Sequence, residues 1–253
     1  MRSIIFSLLA LLAVAGLVYS EPAPQPKPAP KPPPPPATWS GTFEGNMRNQ
    51  IAKVDTTNTT LKSDIYRDSH DTKFYNGLLY LRGKSADTLT QFQRRAEFKW
   101  DQKLKYKFYG YLQQVFEDNQ MTKLEILSRS SGGLGYHFKT KNNFKWAGYL
   151  GASYTSEEYE SNPIINRSYS YQLANDLYWK INDTLEVRNK YEYLPRSKDL
   201  DEFKTRSDSS VKVYFSKHLY GGFSLINEYD SNPGTTSVSR HTATSMITIG
   251  FRF

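Results

Sequence analysis

The side chains of this chain most able to do acid–base or metal chemistry are its four histidines, His70, His137, His218 and His241. An imidazole can act as a general base beside a carboxylate, and it can also bind a metal ion. The sequence has no G-x-S-x-G nucleophile elbow, no H-E-x-x-H pair and no His/Asp cluster with metal-ligand spacing. We therefore predict no catalytic residue, no bound metal and no cofactor.

One acid–base pair stays open as an alternative hypothesis. His241 follows the polar segment 230–239 and could contact Asp230 or Glu228 at the rim of a loop, and His137 lies inside a predicted strand. Such a pair would indicate a hydrolase. Solvated charges at a loop rim are the simpler interpretation, so we predict that the protein is not an enzyme.

Charged side chains of both signs recur at every second position. Segment 186–192 reads Glu-x-Arg-x-Lys-x-Glu, and segment 204–208 reads Lys-x-Arg-x-Asp. Alternate residues of a β-strand share one face, and side chains directly opposite on antiparallel neighbours approach within ~5 Å. We therefore expect opposite charges on adjacent strands to pair along one face.

This charged face is predicted to line the lumen of a barrel. Two interpretations stay open: a salt-bridged lumen that only keeps the barrel from collapsing, or a narrow pore that selects by charge and size. If the lumen conducts, the basic excess of these two strands predicts a preference for anions. The lumen-lining candidates are Glu44, Arg48, Arg95, Glu97, Glu125, Arg129, Asp176, Glu186, Arg188, Lys190, Glu192, Lys204, Arg206, Asp208, Lys212, Glu228 and Arg252.

The opposite face of the same segments is apolar and rich in aromatic residues. The chain holds 19 Tyr and 14 Phe, and aromatic side chains gather where the alternating segments end. Aromatic girdles of this kind mark the two membrane–water interfaces of outer-membrane barrels. The girdle candidates are Trp39, Trp100, Tyr106, Trp146, Trp179 and Phe215 near short breaks, with Tyr154, Tyr171, Tyr193 and Tyr229 toward longer ones.

Short and long polar breaks alternate along the chain, as periplasmic turns and external loops do in bacterial barrels. The pattern predicts an all-β fold, a transmembrane antiparallel up-and-down β-barrel of about 12 strands, with 10 or 14 as alternatives. A secreted soluble β-sandwich is the competing fold. The predicted strands are 37–50, 55–68, 72–82, 88–100, 104–116, 122–139, 143–157, 166–180, 184–195, 203–216, 219–230 and 240–253.

The last strand alternates strictly and stops on Phe251-Arg252-Phe253. This ending is typical of the C-terminal signal of bacterial outer-membrane barrels. We therefore expect Phe251 and Phe253 to act as an assembly signal for the barrel-assembly machinery, and the outer membrane to be the location of the protein.

Residues 1–20 are predicted to be a secretory signal peptide, with Arg2, an apolar run from Ile4 to Val18, and cleavage near Ser20 or, less favourably, at Ala15-Gly16. Residues 21–37 are a proline-rich periplasmic linker, because repeated prolines favour an extended polyproline II conformation over a packed core. The linker is either an inert spacer or an arm that contacts peptidoglycan or a periplasmic partner. The barrel itself is predicted to span residues 38–253.

The amino-acid composition argues against a helical membrane protein. Beyond the signal, no apolar run approaches the ~20 residues of a membrane helix, and mean hydropathy is −0.65.

The formal net charge of +8 suits contact with membrane lipid and the phosphates of lipopolysaccharide. Nucleic acid is not expected as a partner, because the basic residues form no cluster or known module. The absence of cysteine excludes disulfides and lipoprotein attachment.

Several glycine–aromatic motifs resemble one family. They are Trp39-Ser-Gly-Thr-Phe-Glu-Gly-Asn46, Leu104-Lys-Tyr-Lys-Phe-Tyr-Gly-Tyr111, Phe116-Glu-Asp-Asn-Gln120, Ser130-Ser-Gly-Gly-Leu-Gly-Tyr-His-Phe138, Gly148-Tyr-Leu-Gly-Ala-Ser-Tyr-Thr-Ser-Glu-Glu158 and Gly250-Phe-Arg-Phe253. Their order over about residues 38–253 resembles the YdiY-like family of salt-induced outer-membrane proteins, a domain of unknown function. The resemblance implies export and an outer-membrane barrel, and it supplies no catalytic residues. The proline-rich segment lies outside it.

Three classes of function follow from these patterns. The leading expectation is a narrow pore or small-solute or ion channel with a mixed-charge lumen. The alternative is a structural or envelope-stress barrel that transports nothing, and the least favoured is the outer-membrane enzyme.

Overall fold

The structure is a computed structural model that describes residues 36–50, 56–85, 88–160, 162–233 and 240–253. The predicted signal peptide and most of the predicted linker lie outside these residues. The described strands are β1 (Thr38–Gln50), β2 (Thr56–Asp68), β3 (Thr72–Ser85), β4 (Thr88–Lys103), β5 (Phe108–Asn119), β6 (Leu124–Lys141), β7 (Phe144–Tyr159), β8 (Asn162–Lys180), β9 (Leu185–Pro195), β10 (Phe203–Tyr214), β11 (Leu219–Asp230) and β12 (His241–Arg252).

Each strand pairs antiparallel with its neighbours in sequence, and β1 pairs with β12 to close the barrel. The prediction of a 12-strand up-and-down barrel is therefore confirmed, and the soluble sandwich is wrong. Two short 3₁₀ turns, Lys105–Lys107 and Gln120–Thr122, are the only helical elements among the described residues. No helix in the described part of the chain is long and apolar enough to cross a membrane.

Three predicted strand starts were wrong by a few residues. β5 begins at Phe108 rather than 104, because Tyr106 and Lys107 have positive φ angles of 58° and 70° that interrupt an extended strand. β6 begins at Leu124 because Lys123, with φ 52°, ends the preceding turn. β8 begins earlier than expected, at Asn162, so the preceding loop is shorter.

The wall of the barrel separates two chemistries. Its outer surface carries exposed apolar side chains, among them Phe43, Leu112, Leu150 and Phe223, and its inner surface carries buried polar and charged ones. This reverses the pattern of a soluble protein, in which apolar side chains are buried. The outer surface therefore suits contact with lipid.

Aromatic side chains ring the outer surface near both ends of the strands. At the short-turn end, the Phe138 and Trp146 rings lie 4.5 Å apart, and Trp39, Trp100 and Trp179 are exposed. At the loop end, Phe203 lies between Tyr193 and Tyr229, at 5.3 and 5.6 Å between ring centres. The remaining girdle candidates also point away from the interior: Tyr106, Phe215, Tyr154 and Tyr171.

β1 and β12, which close the barrel, pair over fewer residues than any other two neighbouring strands. Gly41 and Phe253 exchange two backbone hydrogen bonds of 3.2 and 3.1 Å, and register pairs then run from Thr42↔Arg252 to Gly45↔Ile249. By contrast, β1 pairs with β2 along its whole length, from Thr38 to Gln50. The Phe253 ring also stacks on Phe43, at 5.7 Å between centres.

Candidate functional site: the barrel interior

The interior is built by the inward positions of all twelve strands, and buried charges dominate it. In β9, Glu186 and Glu192 are buried, while Arg188 and Lys190 are half-buried. The register places Asp208 of β10 opposite Lys190. The alternation that predicted a charged inner face is therefore present in the structure.

These charged side chains do not form ion pairs between β9 and β10. Their partners lie on the same strand or on other strands. Arg188 Nε contacts Glu186 Oε1 of its own strand at 2.7 Å, and Arg206 of β10 pairs with Glu228 of β11. Asp208 turns away from Lys190 and binds Lys62 of β2, with 3.2 Å between Nζ and Oδ2. Our expectation of pairing between these two strands was wrong, because long side chains in a closed barrel can reach other walls.

Several ion pairs reach across the lumen. Lys62 and Asp208 are on strands four positions apart in the barrel order, and Arg129 of β6 meets Glu192 of β9, with 2.6 Å between Nη2 and Oε2. Gln172 of β8 adds hydrogen bonds to Gln113 of β5 and to Glu192. These contacts fill the lumen with polar side chains.

Lys212 of β10 and Glu44 of β1 form the most deeply buried of these cross-lumen pairs. Their side chains are 3% and 1% exposed, with 2.6 Å between Nζ and Oε1. Glu44 also accepts hydrogen bonds from the Tyr220 hydroxyl at 2.9 Å and from Thr248 Oγ1 at 3.1 Å. Three donors therefore satisfy one buried carboxylate, as burial of a charge requires.

The loop half of the interior is dense in ion pairs but retains space. Arg95 pairs with Glu117, and Lys204 pairs with Glu157 and Asp230. Parts of these groups line a cavity of about 110 Å³. The volume can hold a few water molecules.

At mid-height, Lys190 spans the lumen. Its Nζ lies 3.7 Å from the centre of the Tyr75 ring, on β3, which is six strands from β9 and thus on the opposite wall. The Tyr75 hydroxyl donates a hydrogen bond of 2.7 Å to Asp64. Among the described residues Lys190 has no ion-pair partner, and a cation over a ring face is favourable in such a setting. Lys190 and Tyr75 therefore form a constriction beside a cavity of about 60 Å³.

The short-turn half of the interior is filled by tyrosines. The Tyr109 ring lies against Gly135 of β6, and the Tyr220 ring lies against Gly250 of β12, so close that a Cβ on either glycine would overlap the ring. Glycine is needed at these two positions because a neighbouring aromatic ring occupies the space of a side chain.

Lys99 of β4 lies among three of these rings. Its Nζ is 3.8 Å from the centre of Tyr149, and 5.5 and 5.4 Å from those of Tyr109 and Tyr111. Asp176 is its partner across the lumen, at 3.8 Å. Sequence reasoning assigned the tyrosine excess to the girdles and missed this inner population, although the inward parity of 109 and 111 could have revealed it.

Most of the predicted lumen-lining residues face the interior, and two do not enter this group. Glu125 is exposed on the outside, near Phe116 and Ile126, because a bulge between Leu124 and Ile126 removes it from the alternation. Its assignment to the lumen was wrong. The side chain of Arg48 lies outside the described part of the structure. Arg252 lies at the short-turn rim, over the Tyr214 ring at 4.3 Å.

The excess of basic residues predicted for the lumen is not found when the inward-facing residues of all twelve strands are considered. Carboxylates that were not among the candidates, Asp64, Asp101, Glu117 and Glu157, also face the interior, as do Lys62 and Lys73. Three of the four cations behind the anion prediction have carboxylate partners, and Lys190 is the exception. The charges of β9 and β10 alone therefore do not predict the charge of the lumen, which all twelve strands line.

The histidines are dispersed. His137 is half-buried with its ring 4.7 Å from that of Tyr109, and exposed His70 lies 3.6 Å from Asp71 in a turn. His218 Nδ1 lies 2.9 Å from the carbonyl oxygen of Arg252, and His241 begins β12 opposite Tyr229. Within the described ranges, no group of three or more His, Cys, Asp or Glu could hold a metal ion.

Several solved barrels are similar in overall shape. The NanC porin superposes with a TM-score of 0.48 at 8% identity, covering 84% of this chain and 98% of that one. The translocator domain of autotransporter NalP from Neisseria meningitidis gives 0.43 at 8% identity, covering 86% and 87%. The KdgM porin gives 0.39 at 8% identity, covering 85% and 98%.

No curated protein sequence is significantly similar to this chain. One family profile matches it, over residues 52–253, and is described as a protein of unknown function, DUF481. This match covers most of the chain and agrees with the resemblance seen in the glycine–aromatic motifs. The chain therefore belongs to the DUF481 family of proteins of unknown function.

Proposed function

We propose that this protein is an outer-membrane β-barrel that forms a narrow channel for ions or small solutes, constricted at mid-height by Lys190 and Tyr75. The observation that carries the proposal is the chemistry of the interior. A barrel that needed only a filled core could use apolar side chains, whereas buried ion pairs carry a large desolvation cost. A charged lining with polar cavities above and beside the constriction is what a water-filled path requires.

The dimensions fit a small conductance. Cavities of about 110 and 60 Å³ are much smaller than the open lumen of a sixteen-stranded porin. Passage would need the Lys190 side chain to leave the Tyr75 ring, and an extended lysine has the rotamer freedom to do so. The channel would therefore conduct in short, small openings.

A second candidate function has its own support. The contacts Lys62–Asp208 and Arg129–Glu192 tie strands that are four and three positions apart in the barrel order, and they occupy the lumen. This arrangement also suits a structural barrel of the envelope that transports nothing. A hydrolase is the least supported, because the four histidines are dispersed over separate turns and strands.

The location and partners are proposed with the same barrel. A signal peptide over residues 1–20 would direct export, and Phe251 and Phe253, both exposed, would be read by the barrel-assembly machinery. The exposed apolar wall would contact lipid and lipopolysaccharide. The proline-rich segment would contact peptidoglycan or a periplasmic partner.

Planar-bilayer recording tests the channel. Wild-type protein should show small single-channel steps, and Lys190→Ala should enlarge them about twofold because the constriction loses its longest side chain. Lys198→Ala, in the exposed loop before β10, is the matched control and should conduct as the wild type does. Silence of both the wild type and Lys190→Ala would contradict the channel and favour the structural barrel.

A further inference from the structure

The seam between β1 and β12 has the shortest register of the twelve strand pairs. Its register ends at Gly45↔Ile249, although both strands continue toward the loop end. Above this point β1 still pairs with β2, as far as Gln50↔Thr56, and β12 still pairs with β11, as far as Tyr229↔His241. Within the described residues, the facing edges of Asn46–Gln50 and His241–Thr248 therefore have no ladder with each other.

An open edge is unusual in this position. Met47 and Ile247, which would face each other in a continued register, are 69% and 72% exposed and point outward with the apolar wall. Lipid offers no hydrogen bonds to unpaired backbone groups, so bare sheet edges do not occur in hydrocarbon. The seam must therefore close in some molecules or open onto something that enters it.

The interior directly behind this seam is apolar, unlike the rest of the lumen. Leu79 and Leu81 of β3 pack against Ile226 of β11 and Met246 of β12, and all four are at least 92% buried. In the barrel order, only β1 and β2 separate β3 from β12. The cluster thus bridges the two sides of the seam from within, next to the charged lumen.

We propose that the loop half of the β1–β12 seam is a lateral gate that admits the acyl chain of a single-chain amphiphile from the membrane. The chain would pass between Met47 and Ile247 and lie against the four apolar side chains. Its polar head would remain in the charged lumen, beside Lys62, whose register partner is Leu79. Apolar burial drives entry of the chain, and the polar lining keeps the head hydrated.

The chain contains no cysteine, so a disulfide can lock the seam without background. Met47→Cys with Ile247→Cys places the pair across the open part, and Gly45→Cys with Ile249→Cys places a control pair at an equivalent ladder position in the closed part. Directly paired strand residues lie within disulfide reach. The probe is palmitic acid carrying a photoactivatable diazirine, added to full-length protein in lipid vesicles.

Reduced Met47→Cys/Ile247→Cys protein and both redox forms of the control should be labelled at Met246 and Ile226. Oxidation of the Met47→Cys/Ile247→Cys pair should lower that labelling at least tenfold, and reductant should restore it. Equal labelling of its oxidised and reduced forms would overturn the gate, as would absence of label from these residues in all forms.

A second variant keeps the test independent of the disulfide. Ile226→Asn makes the cluster polar with little change in volume and should lower labelling of Met246 severalfold, while Leu194→Asn, elsewhere in the interior, should not. Equal labelling of the two variants would contradict the acyl site. Ion conductance follows the barrel axis and should survive the lock, so failure of the gate and failure of the channel give different results.

Discussion

The two halves of the barrel interior are filled in different ways. In the loop half, ion pairs such as Arg129–Glu192 hold the walls, and a cavity of about 110 Å³ remains between the side chains. In the short-turn half, tyrosine rings lie against glycines, as Tyr109 does on Gly135, and surround the ion pairs Lys212–Glu44 and Lys99–Asp176. Long charged side chains can rearrange, whereas a ring on a glycine fits in one way. The comparison suggests a rigid base that holds the barrel and a loop half in which change is possible.

The largest effect should come from breaking a cross-lumen pair in the loop half. Arg129→Met leaves Glu192 buried without its cation, which should lower the free energy of unfolding by about 3 kcal/mol. Arg129→Met with Glu192→Leu removes both charges and should recover most of that loss. Urea unfolding in lipid vesicles measures both variants. If the double variant is no more stable than the single one, the pair is not what holds these walls.

A smaller effect is expected from the short-turn half. Gly135→Ala forces the Tyr109 ring out of its position, which should cost about 1–3 kcal/mol in the same unfolding measurement. Gly110→Ala is the control, because the nearest atom to its added Cβ is 4.0 Å away. A matching loss in both glycine variants would show that strand glycines matter here for another reason than ring packing.

The smallest effect on stability should come from exchanging two charges in place. Arg206→Glu with Glu228→Arg preserves the pair and the net charge, so unfolding and ion preference should both stay near the wild type. Arg188→Glu with Arg206→Glu instead makes the lumen more acidic and should move the reversal potential toward cations. The structure adds a cost to that second variant, because Arg206→Glu brings a carboxylate beside Glu228. An unchanged reversal potential in the Arg188→Glu/Arg206→Glu variant would place these residues off the conduction path.

The fold could be predicted well from the sequence, because period-two alternation and polar breaks are local signals. The predicted starts of β5 and β6 were wrong because Tyr106, Lys107 and Lys123 adopt positive φ angles, and β8 begins four residues earlier than predicted. The assignment of Glu125 to the lumen was wrong because of a bulge. Neither a positive φ angle at a residue other than glycine nor a β-bulge has a reliable sequence pattern. These errors stay within a few residues.

The interior was harder to predict, because its contacts join strands that are distant in sequence. Alternation correctly indicated that Lys190 and Arg129 face inward, but it could not reveal that Lys190 meets Tyr75 on the opposite wall. Partners across a lumen depend on barrel diameter and shear as well as on parity. The sequence alone therefore predicts which residues line the lumen, but not which of them contact one another.

The up-and-down topology has a consequence for how quickly the protein folds. Every strand pair but one joins sequence neighbours, whereas Thr42↔Arg252 joins the two ends of the barrel. For a flexible chain of this length, bringing the ends together costs on the order of 5 kcal/mol of loop entropy. Hairpins can form early and independently, but the long-range step has high contact order and is slow. Closure of β1 on β12 is thus the expected kinetic bottleneck, and a folding intermediate would be an open, curved sheet.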